Sequence, residues 1–164
     1  MVRAPHLRLE RVVSGGQTGV DRAALDVALE LGLGCGGWCP QGRRAEDGAL
    51  HAKYPLRETP LPDYAQRTEW NVRDADGTLI LTRGSPTEGT AATVELARRY
   101  GKPHLVLDLE QGADAAAARQ WLAKRKLKVL NVAGPRESKC PGIYAQAVAL
   151  LREAISSAQT RPNR

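Results

Sequence analysis

Long hydrophobic runs are missing from this sequence. No apolar stretch approaches the roughly 18 residues that cross a bilayer, and no signal-peptide hydrophobic segment follows Met1. The expectation is a cytoplasmic protein with no membrane association. Cysteine is scarce and odd in number, three among 164 residues. That excludes a disulfide scaffold and suits a reducing compartment with free thiols. Cys35 and Cys39 are neighbours in sequence, but Cys140 is distant, and His6, His51 and His104 supply no spaced partners. No structural metal is expected. Aromatic residues make up only 4% of the chain, with no phenylalanine. No aromatic ladder interleaved with basic residues marks single-stranded nucleic acid, and no recognition-helix pattern marks duplex DNA. Internal repeats are absent.

What is present is enough length for one domain with a sizeable core, at 42% hydrophobic and 26% charged residues. The net charge of +6 favours anionic ligands. Part of it lies in Lys124-Arg125-Lys126-Leu127-Lys128, which reads as a solvated helix end where cations oppose the dipole.

Periodicity predicts strands over 9–14, 36–39, 77–82, 105–109 and 128–132. Helices are expected over 21–31, 68–75, 91–100 and 112–126, with a last one carrying Tyr144, Ala147, Val148, Leu151 and Ile155 on one face. The run Thr78-Leu79-Ile80-Leu81 is continuous and apolar, as a strand covered on both faces should be. Strands and helices alternate five times. That predicts a three-layer α/β/α sandwich with a mainly parallel sheet of about five strands, in one domain over 1–164. Residues 41–68 read as a long binding loop, mixing charge, prolines and tyrosines. Residues 157–164 read as a flexible tail.

In such a sheet, ligands bind beyond the carboxyl ends of the strands. Three glycine-rich or polar turns follow strands and so face one edge. The first, Gly15-Gly16-Gln17-Thr18-Gly19, opens a helix, and its amides form an anion cradle for phosphate. Arg22 stands near enough to add charge-assisted bonds, while Asp21 caps the helix. The second turn offers Gly89 and Thr90 at another helix start. The third offers Asn131 as a polar reader and Arg136 as an anion contact. Arg43, Arg44 and Arg67 are expected to close from the long loop. Glu95, with Glu46 and Asp47, is the candidate acid for any bond cleavage. The G-x-G-x-x-G spacing is not met, no Walker Lys-Ser/Thr follows the first turn, and no Ser or Cys nucleophile has a plausible histidine.

Four blocks carry a family resemblance: Ser14-Gly15-Gly16-Gln17-Thr18-Gly19-Val20-Asp21-Arg22-Ala23-Ala24-Leu25-Asp26, Gly37-Trp38-Cys39-Pro40-Gln41-Gly42-Arg43-Arg44-Ala45-Glu46-Asp47-Gly48, Arg67-Thr68-Glu69-Trp70-Asn71-Val72, and Gly89-Thr90 with Glu95. With them the chain resembles the molybdenum-cofactor carrier proteins over nearly its whole length. These belong to the SLOG group of Rossmann-like proteins, with the YpsA, lysine-decarboxylase-like and DprA proteins. The resemblance implies a Rossmann-like fold and a homo-oligomer, dimer or tetramer. It also implies a phosphorylated small ligand, molybdenum cofactor (molybdopterin), and molybdoenzymes or cofactor-synthesis proteins as partners. It makes Glu46, Asp47, Arg67 and Asn71 part of the site wall. The lysine-decarboxylase-like phosphoribohydrolases carry Pro-Gly-Gly-x-Gly-Thr-x-x-Glu. Here Ser85-Pro86-Thr87-Glu88-Gly89-Thr90 lacks the doubled glycine, and Glu95 is displaced. The resemblance therefore points to carrying, storing or delivering the cofactor. A nucleotide sensor or a nucleotide N-glycosidase is the alternative.

Overall fold

The computed structural model describes residues 6–112 and 114–156. In chain order, β1 (Arg11–Val13) leads to α1 (Val20–Glu30), β2 (Gly34–Gly36) and β3 (Trp38–Cys39). Then come β4 (Arg44–Ala45), β5 (Gly48–Ala49), β6 (Arg57–Glu58) and α2 (Tyr64–Asp74). The second half runs β7 (Gly77–Thr82), α3 (Glu88–Arg99), β8 (His104–Asp108), α4 (Ala115–Arg125), β9 (Val129–Ala133) and α5 (Ile143–Ser156).

Five strands form a parallel sheet in the order β2-β1-β9-β7-β8. The chain's last strand is its central one. Val13 of β1 and Thr78 of β7 both pair with Asn131 of β9. If the closing β9–α5 unit were moved to the front, the order would become the usual doubly wound 3-2-1-4-5. Right-handed crossovers then assign the helices to faces. The connection from β1 to β2 steps one way and that from β7 to β8 the other. α1 accordingly packs on α5, and α5 on α4, on one face, while α2 packs on α3 on the opposite face. The fold is the expected three-layer, Rossmann-like α/β/α sandwich with a five-stranded parallel sheet.

All six residues of β7 are buried. Leu79, Ile80 and Leu81 are fully covered, and each such burial contributes about 1.5–3 kcal/mol. On α5, Ile143, Ala147, Leu150, Leu151, Ala154 and Ile155 face the core at helical spacing. No helix among the described residues is long and apolar enough to cross a membrane.

Several boundaries differ from expectation. The strand predicted over 36–39 is two, because Gly37 holds φ +117° and turns the chain out of the main sheet. β3 pairs instead with β6. The stretch 41–68 is not one irregular loop: β4 and β5 form a small antiparallel hairpin, and α2 already starts at Tyr64. Its cap is Asp63, which accepts from the Gln66 N–H at 3.4 Å, rather than Thr68. Thr68 is inside the helix and donates its hydroxyl to the Tyr64 carbonyl. α3 begins at Glu88, three residues earlier than predicted. β9 reaches Ala133, so Asn131 belongs to a strand and not to the third turn. The predicted tail 157–164 lies outside the described residues.

Candidate functional site

The three turns after β1, β7 and β9 meet at the carboxyl edge of the sheet, around the switch in strand order. They enclose a cleft of about 370 Å3 with α2 as the fourth wall. Gln17 and Asp21 come from the first turn and α1. Arg83 and 87–90 come from the second turn, and 133–136, Lys139 and Cys140 from the third. Tyr64, Arg67 and Thr68 come from α2.

Four backbone donors at the first turn are bonded within the protein. The Gly16 N–H donates to Ser14 Oγ, the Gln17 N–H to Asp21 Oδ2, the Thr18 N–H to Gln17 Oε1 and the Val20 N–H to the Pro135 carbonyl. These donors are already satisfied within the protein. The glycines serve packing instead. A Cβ on Gly15 would overlap the Arg67 guanidinium, and one on Gly16 would press on Leu50. One on Gly19 would overlap the Pro135 carbonyl oxygen. Thr18 is engaged by Glu46 and accepts the Glu137 N–H. Arg22 donates to the Gly16 carbonyl and pairs with Asp47 at 2.9 Å, so it braces the turn rather than reaching the cleft.

The second turn presents an open helix start. Thr87 caps α3 without a side-chain hydrogen bond, and the space where a Gly89 Cβ would stand is open. A helix start of this kind presents N–H donors and partial positive charge. Along α3, Gly89, Thr90, Ala92, Thr93 and Leu96 line the cleft. Glu95 does not: its side chain is 63% exposed and lies 4.0 Å from Arg98. The reason is helical phase, since five residues beyond Thr90 is the wrong face, and Thr93 occupies the inward one. Glu88 begins the helix with φ +48° and pairs with Lys139 of the third turn.

Cations dominate the cleft. Arg67, Arg83, Arg136 and Lys139 face two carboxylates, Asp21 and Glu88. Arg83 is held by the Gln146 side chain and the Pro141 carbonyl, each at 2.7 Å. The Tyr64 ring gathers three guanidiniums, of Arg44, Arg67 and Arg136, at 5.0, 5.4 and 5.2 Å. Asp21 is 3% exposed, and burial raises its pKa against the opposing charge of Arg67, 3.4 Å away. Two buried polar atoms among the described residues lack any partner, Gln17 Nε2 and Arg67 Nε. Both are donors on residues of the cleft wall.

Of the predicted loop 41–68, Tyr64, Arg67 and Thr68 line the cleft, while 41–63 supports the site without lining it. Arg43 donates to the carbonyls of Leu50, His51, Tyr54 and Leu56. Arg44 reaches the Pro62 carbonyl. Burial works against the Glu46 carboxylate, but hydrogen bonds from Ser138 and Thr18 outweigh it and lower its pKa. Glu46 thereby ties the hairpin to the first and third turns, with its N–H on Gln17 Oε1 at 2.9 Å. Asn71 is also scaffold: its side chain accepts the Trp38 N–H and donates to the Trp38 carbonyl. Asn131, expected as a polar reader, is 3% exposed and donates to Thr78 Oγ1 beneath the cleft. Sequence reasoning missed Thr93, Lys139 and Cys140 as cleft residues. Asp63 as the cap of α2 was the available signal for the Tyr64–Arg67–Thr68 face. Among the described residues no three His, Cys, Asp or Glu side chains gather as metal ligands would.

Comparison with known proteins follows this geometry. A family model described as "Circularly permutated YpsA SLOG family" matches residues 12–155. A crystal structure named "Putative molybdenum carrier protein", from Syntrophus aciditrophicus, superposes with a TM-score of 0.88 at 43% identity. The match covers 91% of this chain and 96% of that one. No curated protein matches the chain in sequence.

Proposed function

This chain belongs to the circularly permuted YpsA family of the SLOG group, and on that premise we propose that it binds a phosphorylated small molecule in the cleft and carries it unchanged. The observation behind this reading is the open α3 start at Thr87–Thr90, facing Arg136 and Lys139 across the cleft. A phosphate there meets backbone donors, a helix dipole and two cations at once. The volume of about 370 Å3 suits a compact ligand.

Molybdenum cofactor is the first candidate for that cargo, because the related crystal structure is named for a molybdenum carrier. The donor set fits its phosphate: 87–90, Arg136 and Lys139 would hold that group, leaving the rest of the molecule between α2 and α3. Hand-over to molybdoenzymes or cofactor-synthesis proteins, from a homo-oligomer in the cytoplasm, belongs to the same proposal. Cleavage of a nucleotide's glycosidic bond would need a free carboxylate beside the ribose. Glu95 faces away, Glu88 is paired with Lys139, and Asp21 is engaged by Arg67.

The test is mass spectrometry of the protein purified from cells that make the cofactor, with the metal measured in parallel. A phosphorylated pterin retained by the wild type and reduced about ten-fold in Lys139→Met is the expected result. Protein that retains no phosphorylated species but converts AMP to adenine would overturn it.

A further inference from the structure

The α3 start accounts for one end of the cleft. The other end, over β1, has a donor set of its own. Gln17 Oε1 accepts two backbone N–H groups, from Thr18 at 3.1 Å and Glu46 at 2.9 Å. Those two bonds fix which way the amide faces, so the remaining end of the side chain is the NH2 group. Gln17 is 4% exposed, lines the cleft, and its Nε2 has no partner among the described residues. Arg67 repeats the pattern. Its Nη1 pairs with Asp21, while its Nε is buried and unpartnered. Buried donors without acceptors are costly, which is why such groups are normally filled. Here two belong to residues that line one cleft, and both lack an acceptor.

We propose that the Gln17–Arg67 wall is a second oxyanion subsite, so that the guest of this cleft is anionic at both ends. The inference rests on the cleft being the binding site. β1 and β7 flank β9, so their ends stand about 9.5 Å apart at ordinary strand spacing. A single tetrahedral oxyanion is smaller than that separation, so one held at the α3 start after β7 leaves Gln17, which follows β1, to a second group. A small molecule with a phosphate at one end and a second oxyanion at the other spans them. The second group is a phosphate or a metal oxoanion, which present the same tetrahedral acceptors. Tyr64 stacks on the Arg67 guanidinium at this end, 5.4 Å from it. Asp21 is the one carboxylate there, and its Oδ2 faces Arg67 Nη1 and the Gln17 N–H.

Gln17→Glu tests this with little change in shape, since it keeps the two bonds to Oε1 and replaces the NH2 donor by an oxygen. Equilibrium dialysis with labelled inorganic phosphate should find two ions per wild-type chain. Gln17→Glu should lose one of them, with about ten-fold weaker binding at that site, and Lys139→Met should lose the other. Molybdate that displaces only the ion lost in Gln17→Glu identifies a metal oxoanion; no displacement identifies a second phosphate. A single ion that is lost in Lys139→Met and indifferent to Gln17→Glu overturns the second subsite and leaves the cleft reading standing. No bound phosphate in any form of the protein overturns both.

Discussion

Gly19 holds φ +76° and ψ −128° at the entrance to α1, a conformation that L side chains rarely adopt. A Cβ there would also meet backbone atoms of Pro135, Arg136 and Glu137, which have little freedom to give way. Gly19→Ala should therefore cost about 2–3 kcal/mol of stability, read by urea unfolding. An unchanged midpoint would show that the third turn can retreat. Gly16 carries a different lesson. The motif suggests close approach of a ligand to its amide, but its N–H is already bonded to Ser14 and its missing Cβ makes room for Leu50. Glycine types and spacing are written in the sequence. What each glycine avoids depends on which chain segment passes by.

At the scale of elements, the segment 41–63 is held by side chains more than by strands. Arg43 adopts φ +55° and spreads its guanidinium over four carbonyls between Leu50 and Leu56. Around it, Leu25, Cys39, Leu50, Tyr54 and Leu56 form a small apolar cluster apart from the main core. Tyr54 then donates to Asp26 on α1 at 2.5 Å. Arg43→Met would leave those carbonyls without their donor. Hydrogen exchange over 49–58 should accelerate by about ten-fold or more, while β7 and β9 stay protected. Uniform acceleration across the molecule would instead mean that this segment is part of the global folding unit. The dense charge of this stretch was legible as a sign of importance. Its role as a support was not, because a guanidinium binds a phosphate and a ring of carbonyls with the same donors.

At the scale of the whole molecule, the central position of β9 governs both fold and site. Moving β9–α5 ahead of β1 restores the usual order without changing any strand neighbour. A permutant that begins at Leu127, with the present ends joined by a flexible linker, should fold with a melting temperature within about 5 °C of the parent. Circular dichroism with thermal melting checks this. A permutant that fails to fold would show that the α4–β9 connection has a structural role beyond linking them.

The alternation of apolar runs with helical periodicity was enough to determine the sandwich, its parallel sheet and the edge toward which the three turns face. These follow from local spacing, since a strand covered on both faces and a helix covered on one leave different signatures. Strand order left no such signature. Nothing local distinguishes a last strand at the sheet's edge from one inserted at its centre, because the two differ only in long-range pairing. That insertion brings Pro135 against Val20, whose N–H donates to the Pro135 carbonyl and ties the third turn to the first. It also brings Lys139 opposite Glu88 and carries Asn131 beneath the cleft. The residue types able to bind an anion were present in the sequence. Which of them are left without a partner was decided only by the tertiary structure, because a donor is free or satisfied according to what the fold puts beside it.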